Sequence, residues 1–306
     1  MSNGARNIVA ISVPFPGAKR PGEEGAKLGL WDFILLEGPR IVIPNAETYI
    51  LAAWSPAYEQ LLRLSSGSKL GVLWTSSVGE MDFTPVEQGY LNRLLKDDRI
   101  SFIWFGDPSL AMAYPEKGFY LPYPLKVDEA DPPYVEKREI ATLFCPTGPK
   151  KNILNQLVAM KLVQKDHKLT LHTNVEGYEV ILEELDCVRH PWLPEVEYRE
   201  LIASARINLA VSHCETFNYQ VAEALTLGTS SVISATIPLP GHIVLDPNNP
   251  HEIALTIGSI LVTAPYYIDM ATIHLKSLRE REKRDPSLSY LLKEKLERFM
   301  EVSTYG

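Results

Sequence analysis

The segment from Ile207 to Gly228 reads INLAVSHCETFNYQVAEALTLG and passes from strand to loop to helix. Ile207–Ser212 has the apolar, β-branched makeup of a buried strand. Phe217–Leu227 repeats apolar residues at helical spacing, and Gly228 stands where a helix C′ residue belongs. Glu215 falls in the loop, and Glu223 lies two turns into the helix. A helix beginning near Phe217 aims the backbone N–H groups of Thr216, Phe217, Asn218 and Tyr219 beyond the strand, forming an anion site suited to a diphosphate. Glu215 beside such a site would compete with phosphate unless it accepts from sugar hydroxyls. Glu223 could accept from paired hydroxyls such as those of a ribose. The same spacing fits two glutamates on a solvated face that favour the helix dipole, and the residues alone leave both readings open.

Outward from this segment, short apolar runs alternate with amphipathic stretches. Strands are expected at Ile140–Cys145, Lys168–Thr173, Cys187–His190 and Ser230–Ser234. Helices are expected near Asn152–Gln164, Tyr178–Leu185 and Glu195–Ala205. Asn249-Pro250-His251-Glu252 supplies an N-cap, an N1 proline and a capping-box glutamate before the apolar run Ile253–Val262. Such alternation implies βαβ units around a parallel sheet covered on both faces.

The first half repeats the pattern less regularly. Strands are expected at Ile8–Val13, Arg40–Ile43, Leu70–Thr75, Ile100–Phe105 and Phe119–Leu121. One helix is expected at Pro56–Leu64, and another follows the capping box Thr84-Pro85-Val86-Glu87 as far as Leu95. Lys126–Glu139, rich in Asp, Glu, Pro and Lys, is the natural linker. The expected organisation is therefore an α/β domain over residues 1–125, a linker over 126–139, a second α/β domain over 140–262 and helices over 263–306. In open α/β sheets ligands bind beyond the carboxyl ends of the strands. Two such Rossmann-like domains, face to face, would set those ends around a central cleft.

Composition narrows the function classes. With 306 residues, 45% hydrophobic and 22% charged, the chain resembles a globular protein of about two domains. Its net charge of −8 argues against general nucleic-acid binding, which needs a basic surface. Cys145, Cys187 and Cys214 lack zinc-site or disulfide spacing and read as buried residues at strand ends. The N-terminus shows no secretory h-region, and the run Ala224–Leu245 is broken by Gly228, Pro238 and Pro240, so a cytoplasmic protein is expected. Between Lys276 and Arg298, eight Lys/Arg face five Asp/Glu. That stretch is either a solvated helix face or a peripheral contact for an anionic membrane surface.

Ser212-His213-Cys214-Glu215-Thr216-Phe217-Asn218, followed by Glu223-Ala224-Leu225-Thr226-Leu227-Gly228-Thr229, resembles the signature of retaining family-4 type glycosyltransferases (glycosyl transferases group 1). The two glutamates keep that family's separation of eight. Upstream, Gly148-Pro149-Lys150-Lys151-Asn152 is similar to its loop whose lysine holds the donor diphosphate. Downstream, Leu245-Asp246-Pro247 through Glu252 resembles its Asp-Pro ending. The resemblance covers about Ile140 to Val262. It implies the GT-B fold and transfer from a nucleoside-diphosphate sugar with retention, needing neither metal nor cofactor. The acceptor (a glycan, a lipid-linked glycan or a protein) stays open.

In that scheme Lys151 and Glu215 are the catalytic candidates, Lys151 facing the leaving diphosphate and Glu215 the donor sugar. Lys150, Thr216, Phe217, Asn218 and Glu223 would bind the donor. Trp192 either packs near the nucleobase or is an ordinary core tryptophan. The glycine-rich stretch Pro14–Gly29 stands where the family has a mobile glycine loop, which brings in Gly17. It contains no GxGxxG, so no dinucleotide cofactor is expected. The chain departs from the pattern in three places. Pro146 and Thr147 occupy the stretch where the family carries an arginine, Thr216 and Asn218 replace glycines, and the first half has no histidine. These departures keep two rivals in view, a non-catalytic binding subunit of the same fold and a sugar-nucleotide epimerase.

Overall fold

The computed structural model describes residues 8–12, 16–27, 29–36, 45–52, 67–77, 79, 85–120, 123 and 135–262. They fall into two compact units divided between Lys126 and Val127.

In the first unit, β1 (Ile8–Ser12), β2 (Asp32–Leu35), β3 (Thr48–Ala52), β4 (Lys69–Trp74), β5 (Ile100–Phe105) and β6 (Gly118–Tyr120) form a six-stranded sheet in the order β2-β1-β3-β4-β5-β6. All its pairings are parallel. Parallel strands are buried on both faces, so they read as continuous apolar runs. Thr48–Ala52 is buried at every position, as is Leu70–Trp74. Helices α1 (Pro16–Lys27), α2 (Pro85–Lys96) and α3 (Pro108–Ala113) connect the strands.

Two expectations fail here. The sequence pattern marks neither β2 nor β3. The glycine-rich stretch is also not a loop, because residues 16–27 are helical and Gly17 is the second residue of α1. The glycines permit close packing. A Cβ on Gly25 would lie 2.0 Å from the Trp31 ring, and one on Gly22 would lie 2.6 Å from Phe33. The Trp31 indole N–H donates to the Gly22 carbonyl at 2.8 Å, which fixes the ring beneath the helix. The expected strand at Arg40–Ile43, the helix at Pro56–Leu64, the cap at Thr84 and the helices over 263–306 lie outside the described residues, as does most of the linker.

In the second unit, the strands are β7 (Arg138–Leu143), β8 (Thr170–Thr173), β9 (Cys187–Arg189), β10 (Ala205–Ala210), β11 (Ser230–Ser234) and β12 (His242–Val244). They form a parallel sheet in the order β12-β11-β10-β7-β8-β9. A 3-10 turn (Pro149–Lys151) leads into α4 (Ile153–Val163). α5 (Glu179–Leu182), α6 (Glu195–Ser204) and α7 (Tyr219–Thr226) come next, and α8 spans residues 250–262. Leu157 and Met160 of α4, Leu171, Leu209 and Val232 of the sheet, and Ile253 and Ile257 of α8 meet in one buried core. Burying each large aliphatic side chain contributes about 1.5–3 kcal/mol.

α7 ends in a Schellman arrangement: the Thr229 N–H donates to the Ala224 carbonyl and the Gly228 N–H to the Leu225 carbonyl. Gly228 takes φ 67°, the left-handed conformation that its place past the helix end requires. The cap of α8 is half of a capping box. Asn249 Oδ1 accepts from the N–H groups of His251 and Glu252. Glu252, however, reaches back to the N–H groups of Leu245 and Asp246, because the Asn249 N–H is already held by the Asp246 carbonyl.

Candidate active site at the switch point of the second unit

From β7 the sheet of the second unit adds β8 and β9 on one side, then crosses back to place β10 on the other. The carboxyl ends of β7 and β10 therefore flank the topological switch point, where connections leave in opposite directions and open a crevice. The segment after β7 carries Lys150 and Lys151; the segment after β10 carries Ser212 to Asn218.

Three contacts join these segments. The His213 N–H donates to the Lys150 carbonyl at 2.8 Å. Gln156, 1% exposed in the first turn of α4, donates from Nε2 to the Lys151 carbonyl and accepts at Oε1 from the Val211 N–H, both at 2.9 Å. The Lys151 ammonium pairs with Glu215 Oε1, which also accepts from the Ser212 hydroxyl at 3.0 Å. The Lys151 and Glu215 side chains are only 14% and 6% exposed, so this ion pair is largely shielded from solvent. Removing either partner of such a pair leaves an uncompensated charge.

Asn152 turns the chain from the lysines into α4 with φ 51°, a left-handed conformation that asparagine tolerates better than most residues. Its amide donates to the Pro247 carbonyl at 2.5 Å, and its Oδ1 accepts from Asn155 at 2.7 Å. Cys145, at the end of β7, is buried, and burial pushes its thiol up to about 12, so it is no thiolate nucleophile. None of the three cysteines is in a disulfide; Cys145 and Cys214 are buried, whereas Cys187 is half-buried.

The start of α7 differs from expectation. The helix begins at Tyr219, two residues after Phe217, because Asn218 is the N-cap: it is extended (φ −119°, ψ 101°) and its side chain accepts from the Val221 N–H at 3.1 Å. Asparagine is among the strongest N-cap residues, and here it outcompetes the apolar Phe217 as the boundary. Thr216 and Phe217 thus belong to the loop, and the N–H groups of the first helical turn are those of Tyr219, Gln220 and Val221. Glu223, the fifth residue of α7, is 6% exposed. The solvated-face alternative is therefore wrong for both glutamates. The amide of Gln220 lies 2.5 Å from both the Phe144 carbonyl and Asn208 Oδ1, tying the first turn of α7 to the residue after β7 and to the middle of β10.

Trp192 follows β9, separated from β7 by β8, and at 70% exposure it is not a core residue. Near it, His190 Nε2 lies 3.0 Å from His172 Nδ1, and burial together with the His190 charge lowers the His172 pKa. Gly17 belongs to the first unit. The sequence pattern singles out neither Gln156 nor Asn152 for these contacts. The one signal for Gln156 is a buried amide on the face that α4 turns to the core, beside Ile153, Leu157 and Met160. Among the described residues no group of three His, Cys, Asp or Glu side chains could hold a metal ion, and no helix is long and apolar enough to cross a membrane.

No protein-family profile matches the chain, and no curated protein matches it in sequence. Solved structures do match. A glycosyltransferase from Rickettsia africae aligns over 99% of this chain and 100% of its own, at 12% identity and TM-score 0.66. S. aureus TarM, solved with UDP, aligns over 82% of this chain and 55% of its own, at 13% identity and TM-score 0.61. The apo structure of OtsA aligns over 83% of this chain and 91% of its own, at 9% identity and TM-score 0.57. The chain thus spans nearly all of two of these proteins and about half the length of TarM. The fold is that of GT-B glycosyltransferases, with two Rossmann-like α/β domains.

Proposed function

We propose that this chain transfers a glycosyl group from a nucleoside-diphosphate sugar, with the donor bound at the switch point of the second unit. The observation that carries this reading is the largely shielded Lys151–Glu215 pair between the segments after β7 and β10. It sets one cation and one carboxylate where open α/β sheets receive ligands. Lys151, Lys150 and the first turn of α7, with Thr216, Phe217 and Asn218 leading into it, would cradle the diphosphate. Glu215 would accept from the donor sugar, Glu223 would hold the ribose, and Trp192 would stand near the base.

Breaking the sugar–phosphate bond builds negative charge on the leaving diphosphate. A fixed ammonium and oriented N–H groups in a dry site stabilise that charge more in the transition state than in the ground state. This arrangement supports catalysis without a protein-held metal. With retention at the anomeric carbon, the departing phosphate oxygen can take the acceptor's proton, so the chain need supply no general base.

A non-catalytic role is the second reading. It is favoured by Phe144–Pro149, which holds no arginine to share the diphosphate charge with lysine. One assay separates the two: nucleoside diphosphate released from a panel of sugar nucleotides, without acceptor, in excess chelator. Slow release at a rate above that of the buffer is expected. Binding without release would establish the non-catalytic reading, and release only after magnesium or manganese is restored would establish a metal-dependent one.

A further inference from the structure

A single carboxylate oxygen, Glu215 Oε1, takes both the Lys151 ammonium and the Ser212 hydroxyl. The backbone around it is tied down. The Lys150 carbonyl holds the His213 N–H, and Gln156 spans Lys151 and Val211. A diphosphate competes with Glu215 for the Lys151 ammonium, and one that draws the lysine fully to itself takes it from the carboxylate. A bare nucleoside diphosphate would leave the carboxylate buried with the Ser212 hydroxyl alone, a costly state for a charge. A donor that still carries its sugar brings hydroxyls that replace the lost ammonium.

We propose that the Lys151–Glu215 pair is a specificity determinant that makes the site prefer an intact sugar nucleotide to the nucleoside diphosphate left after transfer. This rests on the donor-site reading above. Once the sugar departs with the acceptor, Glu215 again lacks a partner, draws Lys151 back and weakens the hold on the spent nucleotide. The site thus releases its product as the Lys151–Glu215 pair re-forms. No proton changes place in this exchange; two hydrogen-bond partners of one carboxylate swap.

The test is calorimetric titration of UDP, GDP and ADP, and of their glucose conjugates, into the full chain and its Glu215→Gln variant. Glutamine keeps the shape and removes the charge, so Lys151 is no longer held. Bare nucleoside diphosphate should bind about tenfold tighter to the variant, or 1.4 kcal/mol. The glucose conjugate should gain less, so the preference for intact donor shrinks. In the double variant Lys151→Met/Glu215→Gln the gain should vanish. Ser212→Ala supplies an independent arm if Glu215→Gln fails to fold: a carboxylate that has lost its other partner should hold Lys151 harder, weakening bare diphosphate more than the conjugate. Unchanged or weaker binding of bare diphosphate by folded Glu215→Gln, or a ratio that Ser212→Ala leaves in place, overturns the proposal while the donor-site reading stands. If the unaltered chain binds none of the six probes, the donor-site reading falls and takes this proposal with it.

Discussion

The first described strand of each unit lies inside its sheet, and the order of strand addition reverses beside it: β1 sits between β2 and β3, and β7 between β10 and β8. The segments leaving these two strands differ in kind. After β7 come a two-lysine turn, a left-handed Asn152 and a half-buried ion pair to the segment beyond β10. After β1 comes α1, whose described glycines lie flush against Trp31 and Phe33. The same topological position is built for charge in one unit and for close packing in the other. Topology supplies the crevice, and side chains decide its use.

The largest expected effect falls on the charged side of this contrast. Lys151→Ala should lower turnover of a sugar nucleotide by about 100- to 1,000-fold while costing less in donor affinity, because the leaving-group charge grows toward the transition state. Steady-state kinetics separate the two terms. A loss on Lys150→Ala instead would move the role one residue upstream. Glu223→Ala should weaken nucleoside-diphosphate binding by about 1.5–3 kcal/mol through loss of a charge-assisted bond. Calorimetry with unchanged affinity in a folded variant would remove Glu223 from the site.

On the packing side, Gly25→Ala should destabilise the first unit by about 1–3 kcal/mol, since the added methyl overlaps the Trp31 ring. Denaturant unfolding measures it, and nucleotide affinity should hold. A loss of affinity with stability intact would mean that α1 is part of the donor site.

The smallest effect concerns a charge remote from the switch point. Lys137, just before β7, donates to the Ala203 carbonyl and Thr229 Oγ1 at 2.7 Å, and burial lowers its pKa from 10.5 to about 8. Below pH 8 folded and unfolded chains both hold the proton, and the folded one bears the desolvation cost in full. From pH 8 toward pH 10.5 the unfolded chain binds more protons, so stability should rise with pH, by about 1 kcal/mol between pH 8 and pH 9. Lys137→Met should lack that rise in pH-dependent denaturation curves and keep its nucleotide affinity.

The contrast between the units also governs how much can be read from the sequence. The second unit is legible because its buried parallel strands are short apolar runs separated by helical spacing, and because Glu215 and Glu223 stand at fixed distances from sharp boundaries. α1 is illegible for a physical reason. Glycine disfavours helix interiors by about 1 kcal/mol, and only the contact with Trp31 and Phe33 explains why the helix forms there. β2 is four residues beginning with aspartate, too short for periodicity to mark. At the site, the lysines and glutamates are visible as candidates, but their pairing is not, since it depends on β7 and β10 being neighbours. Gln156 escapes notice for the same reason: its partners, Lys151 and Val211, meet only after the sheet is assembled.

The nucleotide should bind where the charges meet, and hydrogen–deuterium exchange can locate it without any substitution. The experiment compares the full chain with and without a nucleoside diphosphate selected by thermal shift. Exchange is expected to slow over residues 149–156 and 211–223, together, with little change at residues 22–27 on the glycine face of α1. Slowed exchange at residues 22–27, with both second-unit segments unaltered in the presence of bound nucleotide, would place the donor site in the first unit and refute this assignment.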